Sequence, residues 1–114
     1  MWPVFAAEEG NLTLAPFAHH GAVCLDVFSS QIPFYNEEKA NGSLGTLEPD
    51  ETMYTLWIGT NDVGPSNLLV GKQRAGLETL VDAVTCAVNW VSMMYQSGAR
   101  NFIFQNVSPS PLLL

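Results

Sequence analysis

The second half of the chain carries the clearest pattern of apolar and polar positions, and it predicts a strand, a long helix and a second strand. Residues 53–58 are almost continuously apolar or β-branched, which is typical of strands buried on both faces of a parallel sheet, and residues 101–107 predict a second buried strand. Between them, apolar residues recur every three or four positions and predict one buried helix face. The residues of that face are Leu77, Leu80, Val81, Val84, Val88, Val91 and Tyr95.

A glycine marks the end of the predicted long helix. Ser97-Gly98 follows its last turn, and glycine readily adopts the left-handed conformation that often follows a helix. Strand, helix and strand in this order form a βαβ unit with parallel strands and a right-handed crossover. We therefore predict an α/β fold with three layers, flavodoxin-like and built on a parallel sheet.

The first half of the chain has weaker patterns. Residues 3–9 predict a short helix that begins with proline and is closed by Gly10. Residues 12–18 alternate apolar and small side chains and predict a strand, and residues 19–24 predict a turn. Residues 32–39 predict another short helix, and residues 41–45 a loop.

Length and composition indicate one small domain, residues 1–114, of which 47% are hydrophobic. The predicted sheet has open edges, so we expect this domain to be incomplete. The 4 basic and 11 acidic residues give a net charge of −7, which argues against nucleic acid or an anionic membrane as a partner. No apolar run reaches the roughly 20 residues of a membrane-spanning helix, and residues 1–5 lack the features of a signal peptide.

Asparagines in glycosylation sequences and a pair of cysteines give information about the cellular compartment of the protein. Asn11, Asn41 and Asn106 each begin an Asn-x-Ser/Thr sequence, the acceptor pattern for N-linked glycosylation. Cys24 and Cys86 form either one disulfide or a pair of buried thiols, and their spacing alone leaves both alternatives open.

The most distinctive polar sequence follows the first predicted strand, at residues 59–62 (GTND). In open α/β sheets, ligands bind beyond the carboxyl ends of the strands. A glycine permits a sharp turn there, and the Asn61 amide offers N–H groups to developing negative charge without ionising. The alternative is an Asn-Asp turn that only caps the following segment.

Three segments together resemble the GDSL/SGNH hydrolases. Residues 54–64 (YTLWIGTNDVG) resemble the third sequence block of that family, and residues 17–24 (FAHHGAVC) resemble the second. Residues 97–109 (SGARNFIFQNVSP) are similar to the next strand of the fungal branch, carbohydrate esterase family 16 in particular. The resemblance covers nearly the whole chain in the family's order. It implies an extracellular serine ester hydrolase with the SGNH fold, acting on acetyl esters of carbohydrates or similar small molecules.

Carried over by position, the resemblance implies roles for four residues. Asn61 would donate its side-chain N–H to the oxyanion of the reaction, and Gly21 its backbone N–H. Cysteines at the places of Cys24 and Cys86 are suited to form a disulfide. No metal and no cofactor are implied. His20 departs from the pattern, because the branch more often has a small residue there.

Two sequence blocks of the family are absent from the chain. No Gly-Asp-Ser, which would hold the nucleophile, and no Asp-x-x-His occur in it. We therefore expect an internal piece of such a hydrolase that is inactive alone. The alternative is a non-catalytic remnant or binding module. A nucleotide-binding module is a third hypothesis, against which the absence of a glycine-rich phosphate loop argues.

Overall fold

A computed structural model of the chain describes residues 2–59 and 80–105. Four helices and two strands occur in these residues, together with one π-helical segment, Val27–Gln31, between α2 and α3. The helices are α1 (Trp2–Gly10), α2 (Cys24–Asp26), α3 (Ile32–Ala40) and α4 (Leu80–Gln96), and the strands are β1 (Met53–Trp57) and β2 (Asn101–Gln105).

The predicted strand, helix and strand of the second half are present as β1, α4 and β2. The two strands pair in parallel, with Met53 opposite Asn101 and Trp57 opposite Gln105. The parallel pairing confirms that prediction and makes the chain a mixed α/β structure. The three-layer arrangement stays a prediction, because the described residues contain one sheet of two strands.

The core lies on one face of this sheet. Buried residues from the helices and from β1 form a single cluster, and Phe102 of β2 packs against it with the Trp90 ring 5.8 Å away, edge to face. The buried members are Val27, Ile32, Tyr35, Leu56, Trp90, Met94 and Ala99.

The opposite face of the sheet is exposed within the described residues, so the prediction of strands buried on both faces is wrong for this part of the chain. Met53 is 55% exposed, Trp57 51% and Ile103 39%. The alternation of side chains along each strand places these three residues away from Tyr54, Leu56 and Phe102. The described helical residues that join the core cluster, from Val27–Gln31, α3 and α4, pack with Leu56, whereas Met53, Trp57 and Ile103 are not part of that cluster.

The buried face of α4 also differs from the predicted one. Cys86, Trp90 and Met94, spaced four residues apart, are buried, whereas Val88 is 64% exposed. At about 100° per residue, the stripe of Cys86, Trp90 and Met94 is turned by roughly 140°, more than a third of the helical circumference, from the valine stripe. Trp90 packs in the core cluster with its ring edge to face against Phe102, and the bond from Cys86 to Cys24 ties α4 to α2, so these two residues lie on the buried side of α4.

Two helices end in the same hydrogen-bonded motif. After α4, Ala99 N–H donates to the Met94 carbonyl at 3.0 Å and Gly98 N–H to the Tyr95 carbonyl at 3.1 Å, with Gly98 at φ +112°. This Schellman motif confirms the predicted end at Ser97-Gly98. After α3, Ser43 N–H donates to the Glu38 carbonyl at 3.1 Å in the same way.

The first half departs most from the predictions. Residues 12–18 form no strand, because no neighbouring strand pairs with them; Phe17 instead packs its ring against Phe34, 5.4 Å away. The helical region begins at Cys24 and not near residue 32. At the end of α1, Asn11 and not Gly10 takes the left-handed conformation (φ +52°), because Gly10 is still helical.

One covalent bond joins the two halves of the molecule. The Sγ atoms of Cys24 and Cys86 are bonded, with 6.2 Å between their Cα atoms and 62 residues between them in sequence. The bond ties the first residue of α2 to the middle of α4.

Replacing both cysteines with serine should lower the free energy of unfolding by about 4 kcal/mol, the loop-closure entropy expected for a bond across 62 residues. The measurement is urea denaturation with and without a reductant. The double variant is its own control, because the reductant should not change its midpoint. Two reactive thiols in the unfolded, unreduced wild-type chain would contradict the pairing.

A pair of tyrosine hydroxyls lies between α3 and the sheet. Tyr35 and Tyr54 share a hydrogen bond of 2.9 Å, and their rings meet edge to face at 6.0 Å. Burial of Tyr54, and then its hydrogen bond to Tyr35 and the proximity of that hydroxyl, raise the pKa of Tyr54 well above its usual value. The folded state therefore favours the protonated Tyr54.

This raised pKa makes folding stability fall at alkaline pH. Below about pH 10, the ordinary tyrosine pKa, both states hold the proton and the stabilisation is complete. Above it, the unfolded Tyr54 ionises while the folded one keeps its proton, so stability decreases as pH rises. Urea denaturation between about pH 8 and 11 should show a shallower decline for Tyr54→Phe than for wild type. Tyr95→Phe, at an exposed ring, is the matched control; an equal decline in Tyr54→Phe and wild type would contradict the assignment.

Candidate functional site

The backbone has a positive φ angle just beyond the end of β1. Gly59 lies two residues beyond Trp57 and has φ +116°, a conformation that residues with a side chain rarely adopt. Gly59 lies beyond the carboxyl end of a parallel strand, where α/β proteins bind their ligands. The predicted oxyanion donor Asn61 follows two residues later and lies outside the described residues.

Gly21, the other predicted donor, occupies a tight turn. Ala22 N–H donates to the His19 carbonyl at 3.4 Å, and Gly21 has φ +77° at the third position of this turn. No atom lies within 4 Å of where a Cβ would stand, so backbone conformation and not space requires the glycine. Gly21 is exposed, and its N–H donates to no acceptor in residues 2–59 or 80–105.

The start of α2 holds this turn in place. Val23 N–H donates to the Asp26 carboxylate at 2.9 Å, one half of the reciprocal hydrogen bonding that caps helix starts. Cys24 is 1% exposed and bonded to Cys86. The turn at Gly21 is thus fixed within three residues of a covalent link.

The disulfide attaches the start of α2, just after the Gly21 turn, to the first half of α4. Because α4 connects the carboxyl end of β1 to the amino end of β2, its first half lies towards the carboxyl edge of the sheet. Cys86 stands ten residues before the end of α4, or about 15 Å along the axis, which exceeds the roughly 13 Å length of a five-residue strand. Cys24, three residues after Gly21, is therefore bonded to a part of α4 near the carboxyl edge of the sheet, the edge at which Gly59 lies.

A residue that the sequence patterns did not single out lies at the same edge. Gln105 ends β2 beside Trp57, and its side-chain oxygen is buried without a hydrogen-bond donor in the described part of the chain. Such buried polar atoms are rare in proteins and are frequently found at functional sites. Sequence alone shows only a glutamine in an apolar strand; the missing donor is visible only in three dimensions.

Other titratable residues form no catalytic group in the described residues. His19 and His20 are exposed and flank the Gly21 turn. In residues 2–59 and 80–105, no three His, Cys, Asp or Glu side chains come together as metal ligands, and no helix is both long and apolar enough to cross a bilayer.

Comparison with known proteins gives one distant relationship. The chain is 23% identical over 121 aligned residues to an acetylesterase from Hypocrea jecorina, and the alignment covers 92% of this chain. It covers 34% of the relative, so the chain spans about a third of that protein's length. No protein-family model matches the chain. The chain is thus distantly related to a fungal acetylesterase.

The unpaired oxygen of Gln105 makes a specific stability prediction. Gln105→Met keeps the length of the side chain and removes the buried acceptor, so the free energy of unfolding should rise by about 1 kcal/mol. Urea denaturation measures the change, and Gln96→Met on the exposed surface of α4 is the matched control. Lower stability in Gln105→Met would show that the oxygen is satisfied in solution.

Proposed function

We propose that this chain is part of a serine ester hydrolase of the GDSL/SGNH type, from the branch of carbohydrate esterase family 16, which removes acetyl groups from a carbohydrate or similar ester. The observation that carries the proposal is the similarity to an acetylesterase along 92% of the chain. The sequence blocks around Gly21 and Asn61 support the narrower assignment, and the parallel βαβ unit is compatible with it.

In the proposed reaction, a serine attacks the ester carbonyl and the oxygen gains negative charge in a tetrahedral intermediate. Gly21 is suited to stabilise that charge, because its exposed backbone N–H has no acceptor in the described residues and its turn is fixed by α2. The Asn61 amide would supply the second N–H. Donors that are already oriented stabilise the transition state without reorganising, and each is typically worth about 3–4 kcal/mol.

The chain supplies oxyanion donors in this proposal but no nucleophile. It contains no Gly-Asp-Ser and no Asp-x-x-His, and its histidines, His19 and His20, belong to the segment around Gly21. Purified alone, it should not hydrolyse p-nitrophenyl acetate above background. The same two absences favour the second candidate, a non-catalytic remnant or binding module, which likewise requires no turnover.

An extracellular location is part of the proposal. The Cys24–Cys86 disulfide supports it, because disulfides persist in oxidising compartments and are rare in the cytosol. The three Asn-x-Ser/Thr sequences agree with passage through a secretory pathway. The proposed substrate is a small ester, with no nucleic acid, membrane, metal or cofactor involved.

The decisive experiment combines this chain with the nucleophile and the catalytic histidine that its sequence lacks. This chain replaces the aligned segment of the Hypocrea jecorina acetylesterase, and acetate release by the chimera is measured with and without Asn61→Ala. As an oxyanion donor, Asn61 acts on the transition state, so kcat should fall by roughly 100- to 1,000-fold with KM nearly unchanged.

Thr60→Ala is the matched control and should leave kcat nearly unchanged, because its side chain has no role in the proposed reaction. If Asn61 only holds a turn, Asn61→Ala lowers the melting temperature by the loss of about 1 kcal/mol while the kcat of the folded fraction is maintained. That result would disprove the oxyanion assignment. A folded chimera without any acetate release would favour the non-catalytic alternative.

A further inference from the structure

The sequence Asn41-Gly42-Ser43 forms the turn that ends α3. Asn41 follows the last helical residue, Gly42 takes the left-handed conformation at φ +80°, and Ser43 N–H donates back to the Glu38 carbonyl at 3.1 Å. All three residues are exposed, and no atom lies within 4 Å of the Cβ position of Gly42. The three residues of this turn are therefore accessible to solvent.

The acceptor asparagine and the hydroxyl two residues later are in direct contact. Ser43 Oγ donates to Asn41 Oδ1 at 2.9 Å. With the amide of Asn41 rotated by half a turn, Nδ2 donates to Ser43 Oγ at 2.9 Å and to the carbonyls of Glu37 and Glu38. Both orientations keep the contact between Asn41 and Ser43, the two side chains that define the acceptor sequence.

From this geometry we propose that Asn41 carries an N-linked oligosaccharide. This inference rests on the extracellular location proposed above and goes beyond it by identifying Asn41 as the residue that is modified. Asn41 Nδ2 bonds to the anomeric carbon of an oligosaccharide carried on a polyprenyl diphosphate; the bond from that carbon to the diphosphate oxygen breaks, and the diphosphate leaves with the electron pair. Nδ2 loses one proton and keeps the other, so the amide still donates one hydrogen bond at the end of α3.

The glycan has a defined place relative to the candidate site. Lys39 Nζ donates to the Ser97 carbonyl at 3.0 Å, which places the end of α3 beside the residues that lead into the amino end of β2. The Gly21 turn lies at the other end of the helical region that runs from Cys24 to Ala40, about 24 Å along its axis. An oligosaccharide on Asn41 thus leaves the carboxyl edge of the sheet open to substrate.

The positions of lysine and arginine allow each acceptor asparagine to be tested separately. Trypsin cleaves after Lys39, Lys72, Arg74 and Arg100, so Asn11, Asn41 and Asn106 fall in three different peptides. The chain is expressed behind a secretion leader in yeast, and all of it that has formed the disulfide is collected. A peptide N-glycosidase in heavy-oxygen water then converts each glycosylated asparagine to a labelled aspartate.

The expected result is label at position 41 in the peptide of residues 40–72. Asn41→Gln and Ser43→Ala should each abolish it, Ser43→Thr should retain it, and Asn36→Gln, an exposed asparagine of α3 outside any acceptor sequence, should leave it unchanged. Disulfide-bonded chain without label at position 41 would overturn the inference. Chain recovered only with free thiols would overturn the proposed location as well.

Discussion

The bond between Cys24 and Cys86 is the constraint on which the arrangement of this molecule depends. The residues before the sheet form no strand of their own, and without a ladder of hydrogen bonds they have no register against β1 or β2. The disulfide closes 62 residues of chain and sets the start of α2 against α4. Side chains on α3 then reach the sheet, where Tyr35 and Tyr54 share a hydrogen bond. The disulfide thus fixes the position of these residues relative to the sheet, as hydrogen bonding between strands does in larger sheets.

The same packing gives the sheet two different faces. Leu56 and Phe102 contact the helices, whereas Met53, Trp57 and Ile103 face away from them and are exposed. Large apolar side chains on both faces are typical of strands in three-layer proteins, where helices cover each side. β1 and β2 therefore have large apolar side chains on both faces, as strands of a sheet covered on both sides do, while the helices described here cover one face.

Two glycines with positive φ angles lie in the candidate site. At Gly59 the chain leaves a strand, and at Gly21 it enters a helix. A side chain at either position would strain the backbone even where space is free, as it is around Gly21. Because Gly21 precedes Cys24 by three residues, the disulfide that stabilises the fold also positions this turn. The same disulfide therefore contributes both to the stability of the fold and to the position of Gly21, the proposed oxyanion donor.

The sequence by itself determined those secondary-structure elements that depend only on residues close to one another along the chain. β1, the end of α4 at Gly98 and the parallel strands follow from apolar runs, a glycine and the length of the crossover. The buried side of α4 required the tertiary structure, because valines and Trp90 are both apolar and only the bond at Cys86 and the space above the sheet select between them. The side-chain oxygen of Gln105 also required it, because the lack of a hydrogen-bond donor among the described residues depends on every residue that surrounds it. Residues 12–18 show the same limit: alternation creates a strand only where a partner strand offers hydrogen bonds, and no strand of the described residues pairs with this segment.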